Sequence, residues 1–236
     1  MKRILVLVFF IYSGLLYSQK LEFIEKRDTL QKPKYQQFIF ISDKTDISES
    51  IFVAKIKSTG SLKKVSDLYL MIKDAAQRKG ANSFKFESFK KIDSENGELI
   101  LSAYYVEGSF FDINFENLPK NKIYIFGNQN LLENKTQSYK VKSEKYEIEN
   151  GKYKVFDINE SEDIKINKGG FTGMTLWISR KEGEFSNYLS FSGIGLNEVG
   201  YQPYGGGIGV SINTGTINRV EPNLALALLQ MYTLQK

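Results

Sequence analysis

The 236-residue sequence contains no histidine and no cysteine. The absence of histidine removes the commonest general base, the commonest zinc ligand and the base of the Ser-His and Cys-His nucleophile pairs. The absence of cysteine removes disulfide bonds and the residue that carries the lipid of bacterial lipoproteins. An enzyme made from this chain would therefore have to use carboxylate, lysine, serine or tyrosine side chains.

Arginine is scarce, and the excess of positive charge is small. The chain has 32 basic and 27 acidic residues, a formal net charge of +5. Nucleic-acid-binding surfaces usually concentrate positive charge and use the bidentate arginine fork. The basic residues of this chain are nearly all lysines, which are dispersed singly or in pairs. We therefore expect a solvated, lysine-rich surface and no nucleic-acid partner.

An apolar run at the N-terminus predicts export. Two basic residues precede the run Ile4 to Tyr12, and small residues follow it before Ser18. This order is typical of a secretory signal peptide, with cleavage after Ser18. A retained membrane anchor would need about 20 apolar residues, so we expect a signal peptide over residues 1–18 and no transmembrane segment after cleavage. The protein would then be periplasmic, bound at the cell surface or secreted.

The hydrophobic period between Gln37 and Val106 changes from two to about 3.6 and back to two. These changes predict the order strand, helix, strand, strand, with the helix laid on one face of a small sheet. Ser61 or Ser66 is suited to cap the start of the helix, and Gly80 to end it in a left-handed conformation. Asn96-Gly97 is the expected turn of the hairpin that follows.

The end of this predicted helix, AAQRKGANSFKF, passes through a glycine cap and Ala81-Asn82 directly into a strand. In this junction, residues 37–106 resemble the small α/β domains of bacterial envelope proteins in the YbjQ and RcsF-like superfamily. The resemblance implies a location in the envelope. Members of the RcsF type depend on cysteines, so their disulfide-based features do not apply to this chain. Some relatives are described as metal-binding, but without histidine or cysteine the resemblance implies no metal site here.

The second half of the chain is almost wholly β in pattern. A polar segment around Pro119 predicts a linker. Eight short strand patterns follow it, with Asn150-Gly151 as a second hairpin turn and a helix after Pro222. We therefore predict an α+β protein with a small α+β domain over residues 19–115. An antiparallel β-sandwich-like domain with a C-terminal helix would occupy residues 116–236.

The acidic segment Asp157 to Lys168 partly matches the pattern of a calcium-binding loop. Asp157 begins a spacing similar to that of an EF-hand, but Glu162 stands where glycine must make the sharp turn. Lys168 stands where a bidentate glutamate should close the site. We interpret the segment as an acidic turn and retain Asp157, Glu160 and Asp163 only as a looser calcium candidate. No other metal site and no cofactor are expected.

The segment Tyr201 to Arg219 is rich in glycine, but it does not match the dinucleotide-binding pattern. The last position of Gly-x-Gly-x-x-Gly is Val210 or Ile212, depending on where the match starts. Glycine alternates with aliphatic residues in Ser192 to Leu196 and again in Gly206 to Val210. This alternation predicts two strands, each with a bare glycine face that another part of the protein or a ligand can approach closely. The C-terminal helix or Trp177 is the expected neighbour of that face.

These patterns favour a non-catalytic exported protein with a binding or assembly role in the cell envelope. The expected partner is an envelope protein or a glycan, and no catalytic residue is assigned. Exposed aromatic residues are the candidates for ligand contact, namely Tyr201, Tyr204 and Trp177. The alternative is a carboxylate-dependent glycan hydrolase, which needs two carboxyl groups about 5 to 10 Å apart beside a cleft.

Overall fold

The computed structural model describes residues 19–30, 37–160, 163–169, 173–180, 185–194 and 215–236. The predicted signal peptide lies outside the described residues. Within them the chain forms three sheets and three α-helices, which confirms the predicted α+β class with a C-terminal helix. None of the helices in this part of the chain has the length and apolar character needed to cross a lipid bilayer.

The first sheet comes from the N-terminal half of the chain and has the order β1-β3-β5-β4-β2. Strands β2 and β4 are parallel, and the other neighbours are antiparallel. Its segments are β1 (Lys20–Lys26), β2 (Ile39–Phe40), β3 (Ile51–Ser61), β4 (Ser83–Lys91) and β5 (Asn96–Tyr105), with helix α1 (Ser66–Arg78) between β3 and β4 and helix α2 (Gly108–Glu116) after β5.

Helix α1 confirms the most regular pattern of the sequence. Its apolar stripe, which includes Leu68 and Ile72, is fully buried against the first sheet. Gly80 follows the helix two residues after Arg78, and its φ of +90° is the left-handed conformation that favours glycine and stops the helix. At the other end, Ser61 caps a short 3₁₀ turn by accepting a hydrogen bond from the Lys63 N–H at 3.2 Å.

The second and third sheets form a sandwich. The second sheet has the order β11-β10-β7-β8, and the third has the order β13-β12-β6-β9-β14. Both enclose one smaller core of mainly isoleucine side chains. The strands are β6 (Lys122–Phe126), β7 (Thr136–Val141), β8 (Glu144–Glu149), β9 (Lys152–Asp157), β10 (Ile164–Lys168), β11 (Met174–Ile178), β12 (Asn187–Ser190), β13 (Asn218–Arg219) and β14 (Thr233–Leu234).

Strand β6 shows how the layers are stacked. Ile123 and Ile125 point into the smaller core, whereas Tyr124 and Phe126 belong to a larger core on the opposite face of the third sheet. A continuous apolar strand of this kind is expected where a sheet is covered on both sides. The third sheet therefore lies between the second sheet and a helical layer.

The helical layer joins the two halves of the chain. Helix α3 (Pro222–Met231) begins with the Glu221 carboxylate accepting hydrogen bonds from the N–H groups of residues 223 and 224. It packs against α1, the first sheet and β12. Its buried residues, including Leu224 and Leu228, share the larger core with the first sheet. The domain division after residue 115 stays a prediction, and this core contains side chains from both sides of it.

Two hairpin turns predicted from the sequence were wrong. Asn96 and Gly97 lie inside β5, because the turn between β4 and β5 is formed earlier, at residues 93–95. There the Asp93 carboxylate accepts hydrogen bonds from the N–H groups of residues 95 and 96. Asn150 and Gly151 do form a turn, but it connects β8 to β9, which belong to different sheets. Pro119 lies in the connection between α2 and β6, and its role as a linker between domains stays a prediction.

A buried amide anchors helix α2. Asn114 is 1% exposed, and its Nδ2 donates to the Phe40 carbonyl at 2.8 Å. Its Oδ1 accepts from the Ser42 N–H and from the Thr45 hydroxyl, both at 2.9 Å. These bonds fix the helix to the segment after β2.

Replacement of this amide gives the first prediction. Asn114→Ala should lower the free energy of unfolding by at least about 2 kcal/mol, because buried donors and acceptors are left without partners. Urea denaturation of the variant and the wild type measures the difference. The control is Asp112→Ala on the exposed side of the same helix, which should change stability by less than about 0.5 kcal/mol. Equal effects of the two substitutions would contradict the anchoring role of Asn114.

Candidate binding surface

Of the three aromatic candidates, Trp177 lies within the described residues and Tyr201 and Tyr204 lie outside them. The second glycine-rich strand, predicted from Gly206 to Val210, lies outside the described residues. The first, predicted from Ser192 to Leu196, is described as far as Ile194. Strand β12 ends at Ser190 and residues 192–194 form a bend and turn, so the prediction of a strand is wrong for these three residues. The described part of the candidate site is therefore built around Trp177 on β11.

The side chain of Trp177 is directed to solvent by the alternation of its strand. Leu176 and Ile178 pack into the smaller core, so the residues between and beside them face the other way. Trp177 is 60% exposed. Directly opposite it on β10 is Lys165, whose Nζ lies 5.0 Å from the centre of the indole ring. This distance is within the range of a cation–π contact, which helps to hold the ring in place.

The surface around Trp177 is the outer face of the second sheet, the side turned away from the third sheet. Along each strand, the residues of this outer face alternate with residues of the smaller core and therefore point away from that core. They are Thr136, Ser138 and Lys140 on β7, Lys145, Glu147 and Glu149 on β8, Lys165 and Asn167 on β10, and Thr175 and Trp177 on β11.

Hydrogen-bonding side chains adjoin the indole ring on this outer face. Asn167 and Thr175 lie opposite each other, and the Asn167 Nδ2 donates to the Thr175 hydroxyl at 2.9 Å. Asn167 is in turn opposite Lys140, which is opposite Lys145. A polar row thus crosses all four strands of the sheet, beside the aromatic ring.

The outer face has an unfavourable charge arrangement at the far end of this row. Lys140 and Lys145 are both exposed and occupy directly opposed positions of an antiparallel pair. Like charges at such positions destabilise the pairing of strands. A carboxylate oxygen of Glu147 lies 3.8 Å from the Lys145 Nζ, and both side chains are more than half exposed. An ion pair of that length and exposure contributes little.

The calcium candidate is not assembled into a site. Among the described residues, no three acidic side chains form a group that could hold a metal ion. The Nζ of Lys168 donates to the Ser138 carbonyl at 2.7 Å, so the side chain at the closing position of the loop is engaged elsewhere. Each candidate carboxylate has a separate partner: Asp157 contacts Lys122, Glu160 contacts Arg180 and Asp163 accepts from Ser179.

The clear pKa displacements of carboxyl groups among the described residues are all downward. The general acid of a glycan hydrolase is a carboxyl group whose pKa is raised. The four described carboxyl groups with a clear displacement all have a lowered pKa. Hydrogen bonds are the leading cause in each case, from a lysine or from neighbouring amide and hydroxyl groups. These residues are Glu22, Asp46, Asp93 and Glu133.

A second exposed aromatic group lies on another part of the surface. Phe185 is 48% exposed and its ring centre is 4.2 Å from that of Phe115. The Nζ of Lys120 lies 4.5 Å from the Phe115 ring, and Ile113 on the same helix is 61% exposed. This group is formed by other elements than the outer face of the second sheet, and it serves below as a control surface.

No protein-family model, curated protein or solved structure matches the chain. The resemblance of residues 37–106 to envelope domains therefore stays an expectation. The outer-face lysines, which sequence reasoning missed, could have been found from the alternation in SYKV, EKYEIE and IKINK. Their proximity to one another required the strand pairing.

Proposed function

We propose that this protein is an exported, non-catalytic component of the cell envelope that binds a glycan on the outer face of the second sheet. The observation that carries the proposal is Trp177, a large aromatic side chain held in solvent beside Lys165, Asn167 and Thr175. A planar indole ring packs well against the apolar face of a sugar ring. The neighbouring amide, hydroxyl and ammonium groups can bond to the sugar hydroxyls.

The composition of the outer face favours a glycan over a protein partner. Protein interfaces have an apolar centre made of several residues. Among the described residues of the outer face, Trp177 is the single large apolar side chain. An isolated aromatic ring within a polar surface suits a ligand that is itself mostly polar.

The direct test is Trp177→Ala. We expect the affinity for a panel of purified envelope polysaccharides to fall at least about tenfold, because an exposed aromatic anchor dominates an otherwise polar contact. Stability should change by less than about 1 kcal/mol, because the side chain is mostly in solvent. Isothermal titration calorimetry and urea denaturation measure the two quantities. Phe185→Ala is the matched control, since it removes an exposed aromatic ring from the other surface.

Two results would contradict this proposal. Unchanged glycan binding by Trp177→Ala would remove the outer face as the binding surface. Release of reducing sugar ends from any of the polysaccharides by the purified wild type, lost on replacement of a carboxylate, would instead favour the hydrolase.

Export itself is tested by fractionation of cells that express the full gene, followed by N-terminal sequencing, with a start at Gln19 as the expected result.

A further inference from the structure

The charges on the outer face indicate which kind of glycan it binds. The row that crosses the sheet begins at Thr175 and Asn167 and ends at Lys140 and Lys145. Lys165 lies two residues from Asn167 on the same strand, beside the indole ring. Two lysines therefore lie at the β8 end of the polar row, and a third lies beside the row on β10.

The length of the row suits an extended polymer. Neighbouring strands are about 4.8 Å apart, so three steps from β11 to β8 span about 14 Å. A single sugar in contact with Trp177 could not reach Lys145. A linear chain laid across the strands would contact the indole ring with one unit and the paired lysines with another.

The lysine pair is the feature that requires an explanation. Lys140 and Lys145 repel each other across the strands, and nearby Glu147 is too exposed and too distant from Lys145 to offset this. A negatively charged group bound between the two ammonium groups would remove the repulsion and form charge-assisted hydrogen bonds with both. Binding of an anion is thus favoured by the electrostatic arrangement of the unbound face.

Building on the proposed function, we propose that the ligand is an acidic polysaccharide. The indole ring of Trp177 packs on a sugar ring, and Lys140, Lys145 and Lys165 bind the acidic groups of the same chain. The shared chemistry of the ligand is a sugar polymer with regularly spaced anionic groups, whether these are uronate carboxylates or sulfate esters.

The experiment compares four soluble polymers against the full-length protein: alginate, dextran sulfate, neutral dextran and polyglutamate. The wild type should bind alginate at least about tenfold more tightly than dextran. Binding of dextran sulfate as well would assign the preference to charge alone, and binding of alginate alone would assign it to the carboxylate; both outcomes support an acidic polysaccharide. Equal affinity for alginate and dextran would overturn the inference.

Variants separate the lysines from the aromatic ring. The triple variant Lys140→Gln, Lys145→Gln, Lys165→Gln should bind alginate about tenfold more weakly and dextran with unchanged affinity, as expected for the loss of three charge contacts at the surface. A triple substitution to arginine should retain alginate binding. The matched control carries Lys20→Gln, Lys44→Gln and Lys91→Gln, three exposed lysines on other surfaces, and should bind as the wild type does.

Failure of this inference differs from failure of the proposed function. In one outcome, Trp177→Ala weakens the binding of dextran and alginate equally while the glutamine triple variant has no effect. In that case the outer face does bind glycans, and the inferred preference for acidic polysaccharides is wrong. If polyglutamate binds as tightly as alginate and Trp177→Ala has no effect on either, the surface recognises charge without sugar, and both proposals are overturned.

Discussion

Replacement of Gly127 by alanine is expected to lower the free energy of unfolding by at least about 3 kcal/mol. A Cβ atom at this position would lie 1.8 Å from the Glu149 carbonyl oxygen and 2.7 Å from its carbon. Both are backbone atoms, so no rotation of a side chain can relieve the overlap. Overpacking that side chains can partly accommodate costs about 1 to 3 kcal/mol, and a shift of the backbone should cost more.

The position of Gly127 in the fold increases the effect. The Gly127 N–H donates to the Lys152 carbonyl at 2.8 Å, and the segment that follows reaches the turn before helix α1, where the Leu131 N–H donates to the Leu62 carbonyl at 2.8 Å. In the same segment, the side chain of Gln129 accepts a hydrogen bond from the buried Ser66 hydroxyl. A displacement at Gly127 therefore disturbs the contact between the sandwich and the first half of the chain.

The matched control for this prediction is Gly108→Ala. Gly108 is the first residue of helix α2, and no atom lies within 4 Å of the place where its Cβ would be. The substitution should therefore be neutral or slightly stabilising, because alanine restricts the unfolded chain more than glycine does. Thermal unfolding monitored by circular dichroism compares the two variants. Similar melting temperatures for both would show that the close approach at Gly127 is not needed.

The elements predicted correctly are those whose signal is local. Helix α1 combines an apolar stripe at helical spacing with Gly80 at its end, and α3 combines Pro222 in its first turn with a run of leucine and alanine. In both, neighbouring residues carry enough information to fix the conformation. Strand β5 likewise alternates buried Leu99 and Leu101 with less buried residues, as its sequence predicts.

Helix α2 could not be predicted, because its stability does not come from an apolar stripe. Phe110, Phe111 and Phe115 are only half-buried, and the residue that anchors the helix is the polar Asn114. The partners of its amide are more than 65 residues away along the chain. Such contacts are set by the packing of β2 beside β4, which the sequence pattern does not report.

The candidate site was predicted in part for a similar reason. Trp177 was identified as an aromatic contact, but β11 has apolar residues on both faces, and only the presence of the third sheet decides which face is covered. The opposed lysines 140 and 145 follow from the register of β7 and β8. The register depends on the tight turn at residues 142 and 143, where Lys142 has a φ of +58°. A positive φ is uncommon for lysine, so the sequence does not predict this turn.

Buried tyrosines are expected to make the protein sensitive to alkali. Burial raises the pKa of Tyr124 to about 12 and also raises the pKa values of three other tyrosine hydroxyls above their ordinary value. The three are Tyr139, Tyr188 and Tyr232, all of them at most 5% exposed. The cause is the same at each site, because a phenolate is poorly stabilised in an apolar core.

The direction of the effect follows from proton linkage. Below about pH 10, the ordinary pKa of tyrosine, the phenol is protonated in both folded and unfolded chains, and the stabilising effect of its burial is fully present. Above this pH the unfolded chain loses protons that the folded chain keeps, so stability falls until each folded pKa is reached. The slope is about 1.4 kcal/mol per pH unit for each tyrosine, or about 5 kcal/mol per unit for four of them.

A stability of about 5 to 15 kcal/mol would be lost within roughly one to three pH units above 10. Urea denaturation at intervals from pH 8 to pH 12 measures the slope, and the absorbance of tyrosinate should rise together with unfolding.

Tyr188→Phe is the decisive variant, because the Tyr188 hydroxyl has no hydrogen-bond partner among the described residues. It should leave stability at pH 8 unchanged or higher and reduce the alkaline slope by about 1.4 kcal/mol per unit. A slope equal to that of the wild type would contradict the assignment of this proton to Tyr188, whereas tyrosinate absorbance that rises before unfolding would show that the tyrosines ionise in the folded protein.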